Sequence, residues 1–233
     1  MGGAFPLTEE TPHYIGHRKR LRERFFKGGI EALADYEVVE LILGFSILRR
    51  DVKGLAKILL KEFGSFSAVL DAEPSALRKI EGITEGVVAS FKLVKESSTK
   101  YLREKSRTTC VISSPEALVD YCKAAMAGLR DEEFRTIFLN SKNEIIADEV
   151  LCRGTVDQTA VYPRKVAERA IHYNASSLIF VHNHPSGHPA PSGADRELTR
   201  MLKEALSSLQ IRVHDHMIIG KRAHYSFAEE GIL

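Results

Sequence analysis

Apolar residues recur with the 3.6-residue period of helices through the first half of the chain, and in short runs that read as strands through the second. Val52, Leu55, Ala56, Leu59 and Leu60 fall at helical spacing behind Asp51, and Phe63-Gly64 ends that helix. Asp35 caps an apolar helix over Tyr36 to Leu43, and two shorter helices follow over Ser67 to Leu70 and Pro74 to Ile80. From His17 the sequence HRKRLRERFFKGG predicts a helix with Leu21, Phe25 and Phe26 as its buried edge and Gly28-Gly29 as its stop. Residues 1–12 carry no apolar period and read as a mobile tail. The breaks between helices are short and polar, which predicts a compact all-α bundle.

A charged helix over Ser97 to Arg107 reads as a connector, and it places the domain boundary at 109/110, with a helical domain over 1–109 and a second domain over 110–233. Ser114 then caps a helix that Pro115 opens and that runs to about Met126. Phe134 to Leu139 is a β-rich run, Asn140 to Asn143 a turn, and Glu144 to Val150 its partner strand. Thr155 to Val161 reads as a short strand or loop. Pro163 opens an amphipathic helix with Val166, Ala167, Ala170 and Ile171 inward. A central strand over Ser177 to Asn183, a helix over Ser192 to Leu209, a strand from Ile211 to Ile219 and a last strand over Tyr225 to Phe227 complete an α/β (α+β) sandwich.

Composition changes this picture little. Hydrophobic content is 44% over 233 residues, enough for a buried core, and the net charge is +2. Residues 1–109 carry 19 basic and 15 acidic side chains, against 14 and 16 in the rest, so the helical half is the one suited to an acidic partner. Three cysteines, Cys110, Cys122 and Cys152, without C-x-x-C spacing suit a reducing, cytoplasmic setting and pack as small apolar groups. No apolar stretch is long enough to span a bilayer, and the first residues lack a secretory signal's pattern, so no membrane partner is expected.

The chemistry concentrates in LIFVHNHPSGHPAPSGAD, from Leu178 to Asp195. Strand residues i and i+2 point to one face, so His182 and His184 present their imidazoles together. Asp195 arrives on the first turn of the next helix. Two imidazoles and a carboxylate, with a position left for water, match the donor set of a catalytic zinc, one ion per chain. Ser192 has two readings: an N-cap for that helix, or a hydroxyl that steadies an oxyanion. His188, in the intervening loop, reads as solvated or as a substrate contact. Arg164 reads as a helix-start anion contact.

The spacing His182-x-His184, seven residues, Ser192, two residues, Asp195 resembles the JAMM motif of MPN-domain zinc metalloproteases, a cytidine-deaminase-like sandwich. HNHPSG with VHDHMIIG and YSFAEEG downstream, and HRKRLRERF and DVKGLAKILL upstream, resemble the bacterial RadC (UPF0758) family. That resemblance implies hydrolysis of a peptide or isopeptide bond in a protein or peptide substrate. It implies a glutamate base just before the first strand: Glu132, two residues before Phe134, with Glu133 as its competitor. It also gives Ser192 the oxyanion role, and Asp215 and His216 recur in it as residues that orient a ligand.

The run from Leu77 to Ala89 resembles a helix-hairpin-helix motif, with Gly82 and Ile83 in the first two hairpin positions and Thr84 in place of the second glycine. Such a turn can hold a DNA phosphate. Together with Arg18, Lys19 and Arg20 on the basic helix, it supports an alternative function: a DNA-associated repair or recombination accessory whose MPN domain is a scaffold. A metal-dependent nuclease fits less well, because the several carboxylates of a two-metal site are missing.

Overall fold

The computed structural model describes residues 16–48, 50–107, 115–154 and 161–233. Residues 1–12, the Ser114 cap, Cys110 and most of the Thr155 to Val161 segment lie outside them. The chain divides into two compact units, Met1–Lys95 and Glu96–Leu233. That division lies upstream of the 109/110 boundary read from the sequence. The cause is the C-terminal part of a long helix, α6 (Glu85–Arg107), where Leu102 packs and Thr99 bonds within the second unit.

The first unit is helical: α1 (His17–Gly28), a 3-10 turn at Ile30–Ala32, α2 (Asp35–Ser46), α3 (Lys53–Phe63), α4 (Phe66–Asp71), α5 (Pro74–Leu77) and the start of α6. Val39, Leu43, Leu55, Ala56, Leu59, Val69, Leu77 and Phe91 form its core. Asp35 stands inside α2 rather than capping it. The end is closed by Glu37, whose carboxylate accepts from the Ala34 N–H at 3.0 Å and pairs with Arg24 at 2.7 Å. Of the edge expected on α1, Leu21 is buried but Phe26 is exposed. A 12-residue helix can turn only one stripe inward, and Phe26 lies off the stripe that Leu21 and Phe25 share.

In the second unit α7 (Pro115–Met126) precedes β1 (Glu133–Leu139) and β2 (Ile145–Arg153). Then come α8 (Pro163–His172), β3 (Ser177–Asn183), α9 (Gly193–Ser207), β4 (Arg212–Ile219) and β5 (His224–Ser226). The five strands form one mixed sheet in the order β2-β1-β3-β4-β5, with β3 and β4 parallel across the α9 crossover and the other neighbours antiparallel. Period-two alternation gives each face its own core. Ile137, Leu139, Ile179 and Val181 pack with Leu118, Tyr121, Cys122 and Met126 of α7. Phe134, Phe138, Leu178 and Phe180 pack with Val166 and Ala170 of α8 and Leu202 and Leu206 of α9. Ile171, expected inward on α8, is exposed, since the stripe set by Val166 and Ala170 passes it by. Among the described residues no helix is long and apolar enough to cross a membrane.

One buried polar knot sits on the α7 face. The Arg135 guanidinium donates to Glu133 at 2.8 Å, to Asp148 at 2.9 Å and to the Tyr121 hydroxyl at 2.6 Å. Tyr121 in turn donates to Asp148. Removing one partner of a buried ionic group strands the others. Arg135→Met is therefore expected to destabilise the protein by about 3–5 kcal/mol in urea unfolding of the full chain.

Candidate metal centre

His182 and His184 leave β3 on the α9 face, and Asp195 meets them from the first turn of α9. Glu132 stands beside them, immediately ahead of β1. One donor atom from each of the four lies within 4.8 Å of the rest. The Nε2 atoms of the two histidines are 3.1 Å apart. Asp195 Oδ1 is 3.2 Å from the Nε2 of His182, and its Oδ2 is 3.5 Å from that of His184. Glu132 Oε1 is 3.9 Å from His182 Nε2, too long for a hydrogen bond and close enough to act on a water held between them.

The hydrogen bonds around the cluster fix which ring nitrogens carry protons. The Thr199 hydroxyl donates to the Asp195 carbonyl at 2.5 Å, so it accepts from His216 Nδ1 at 2.6 Å. His216 is fully buried, and burial holds it neutral, well below the ordinary histidine range. Its Nε2 is then an acceptor, and it takes the Nδ1 proton of His182 at 2.9 Å. His184 Nδ1 donates to the His188 carbonyl at 2.8 Å. With these bonds both imidazoles are left with an Nε2 lone pair, and the two lone pairs face each other and a carboxylate. A cation satisfies all three. Donors on a tetrahedral ion bound at about 2.0–2.1 Å stand about 3.3–3.4 Å apart, which matches the spacings here.

Burial raises the Asp195 carboxyl, but positive charge on His182 and His184 and the Ser192 bond outweigh it and hold the group ionised, well below the usual range, and the same pairing with Asp195 raises His184. The carboxylate thus draws positive charge into the cluster, which a bound cation would supply with both imidazoles neutral. Burial moves Glu132 the other way, upward, and the two histidines only partly oppose it. An apolar cavity of about 220 Å³ opens beside the cluster, walled by Phe134, Cys152, Leu198 and Met201.

Glu133 is not part of the cluster: Arg135 takes one of its oxygens at 2.8 Å and Arg153 the other at 3.0 Å. Ser192 is the N-cap of α9. Its hydroxyl accepts from the Asp195 N–H at 3.1 Å and gives its one proton to Asp195 Oδ2 at 2.7 Å. In this arrangement the hydroxyl serves both the cap and the Asp195 carboxylate. His216 bonds His182 directly, whereas the Asp215 carboxylate faces away from the cluster. That carboxylate accepts from Ser226 at 2.6 Å and from the N–H groups of Ala228 and His216, tying β4 to the chain's last turn. His188 contributes its carbonyl while its side chain is exposed, and Arg164 is exposed on α8. Thr199 gives no signal in the sequence, because a threonine in mid-helix looks like an ordinary helix residue.

The candidate DNA-contact residues serve packing in part. Arg18 donates to the carbonyls of Leu48, Ile47 and Arg50 and staples the α2–α3 loop. Gly82 adopts φ +88° in the turn before α6, and a Cβ there would stand 2.4 Å from the Arg50 guanidinium. Ile83 packs against the helical core, and Thr84 accepts the first N–H bonds of α6 with its carbonyl. Lys19 and Arg20 remain exposed.

Comparison with known proteins agrees with both units. Residues 112–232 match the RadC-like JAB domain family, and residues 14–89 match the UPF0758 N-terminal family. A UPF0758 protein of Ruegeria pomeroyi is 49% identical over 223 residues, covering 95% of this chain and all of the relative. Another, from Rhodobacter capsulatus, is 49% identical over 213 residues, covering 91% of this chain and all of the relative.

Proposed function

The chain belongs to the RadC-like UPF0758 family, and from that premise we propose that it is a zinc-dependent metallopeptidase hydrolysing a peptide or isopeptide bond. The observation that carries this reading is the convergence of two imidazoles and the Asp195 carboxylate beside a second carboxylate, that of Glu132. His182, His184 and Asp195 would hold the ion. When bound, zinc supplies Lewis acidity, making water acidic enough to attack near neutral pH and polarising a carbonyl. Glu132 takes the proton from the attacking water at a carboxylate oxygen and delivers it to the departing nitrogen. Ser192 keeps Asp195 aimed by holding Oδ2 from two sides, through its N–H and its hydroxyl. Thr199 and His216 keep the His182 proton on Nδ1. The apolar cavity beside Glu132 offers room for a substrate side chain.

The test is hydrolysis itself. Zinc-loaded full-length protein is incubated with a complex peptide mixture, and new termini are read by mass spectrometry. New termini that disappear on chelation support the proposal; none at stoichiometric zinc loading refutes it. The Thr199–His216–His182 relay has its own readout. Thr199→Val removes the relay's anchor, and zinc affinity measured by chelator competition is expected to fall about 10–100-fold. Thr199→Ser restores the hydroxyl and most of the affinity. Equal affinity for all three proteins would mean that the relay does not orient the ligand.

A further inference from the structure

The residue between the two ligand histidines, Asn183, points the other way, to the α7 face of the sheet, and is almost fully buried. An amide in the middle of a strand is a poor β-former, and buried without partners it would be costly. Both ends of this one are used. Its Oδ1 accepts from the Glu133 N–H at 2.8 Å, and its Nδ2 donates to the Asp131 carbonyl at 3.1 Å. These two groups flank Glu132. The β1–β3 ladder closes with Phe134 opposite His182, so the Asn183 side chain takes over where backbone pairing stops. From the other side, the Gly154 N–H donates to the Glu132 carbonyl at 2.9 Å.

We infer that Asn183 is a positioning residue that sets Glu132 against the metal centre, acting through the backbone on either side of it. The inference rests on the hydrolase reading for the role of Glu132, and its geometry stands apart from that role. His182 and His184 fix the ion from one face of β3, while Asn183 fixes the base from the other. One three-residue stretch thus registers both halves of the site to each other. A carboxylate free of this clamp would hang from the loop between α7 and β1, and a displacement of about 1 Å at a reacting group can cost about 100-fold in rate.

The test needs no known substrate. Acetohydroxamate chelates zinc and offers its proton to a carboxylate placed beside the ion, so its affinity for the zinc-loaded full chain reads the position of Glu132. Glu132→Gln is expected to weaken binding about tenfold by removing one charged hydrogen bond. Asn183→Ala is expected to weaken it comparably while zinc affinity, by chelator competition, stays within about threefold, and the double variant should be no weaker than Glu132→Gln alone. If Asn183→Ala does not fold, Asn183→Asp takes its place. It keeps the size and the acceptor and loses the donor to Asp131, with weakening expected in the same direction.

Three outcomes overturn the inference. Hydroxamate affinity in the Asn183 variant could equal that of wild type. The loss could add in full to that of Glu132→Gln. Zinc could be lost together with hydroxamate binding, which would make Asn183 a support for the ligands instead of the base. Failure of the hydrolase reading looks different: no peptide is cut, yet the hydroxamate cycle still shows coupling. Protein that takes up no zinc, or binds zinc but no hydroxamate, overturns both.

Discussion

Replacing His182 with alanine is expected to abolish stoichiometric zinc binding. The expected loss of affinity exceeds the roughly 10–100-fold that follows from disturbing an outer partner of a ligand, because here the donor itself is removed. Zinc content after dialysis should fall from about one ion per chain towards none, since one structural donor is lost from a three-donor protein site. His182 also accounts for the acceptor need of His216, which becomes a buried orphan in the variant, so a stability loss of about 1–3 kcal/mol should accompany the metal loss. Folding is checked by circular dichroism, so that zinc loss from a folded chain is distinguished from zinc loss by unfolding. One-to-one zinc in folded His182→Ala would place the ion elsewhere.

The second large effect falls on catalysis and spares the metal. Glu132→Gln keeps the shape of the side chain and removes its ability to take a proton. Peptide hydrolysis is expected to drop about 10²–10⁴-fold, the range of general acid–base catalysis, while zinc stoichiometry stays at about one. The comparison with His182→Ala separates holding the ion from using it. Glu133→Gln provides the internal control. Its carboxylate is engaged by Arg135 and Arg153, so that substitution should lower stability and leave the proton-transfer step in place. A Glu132→Gln protein as active as wild type would remove Glu132 from the mechanism.

The parts of the site legible in the sequence are those set by local periodicity. His182 and His184 share a face because a strand repeats every two residues, and Asp195 follows at a helix start that Ser192 marks. The strand Ser177–Asn183 was likewise readable from four consecutive apolar residues. What local pattern could not supply was partnership across the sheet. Glu132 and Glu133 are equivalent in sequence; they differ because Arg135 and Arg153 claim the second and leave the first facing the histidines. Thr199 and His216 are separated by a helix and a turn, and only the α9 crossover brings them together. Asn183 carried a signal that went unread, an amide in an otherwise apolar strand, whose partners lie some fifty residues earlier. Helices were found more readily than their inward faces: Phe26 and Ile171 are apolar and exposed, since periodicity ranks several stripes and tertiary packing selects one.

Ser192 illustrates a motif position whose spacing satisfies two roles at once. Its hydroxyl has a single proton, and the capping box directs that proton to Asp195. The consequence is an aspartate held by backbone and side chain of the same residue, with Oδ1 left facing His182.

X-ray absorption at the zinc edge of the full-length, zinc-loaded protein tests the centre most directly. A four-coordinate ion is expected, with only nitrogen and oxygen neighbours at about 2.0–2.1 Å and the outer-shell scattering of two imidazoles. Sulfur at about 2.3 Å, or an ion without two imidazoles, would contradict it.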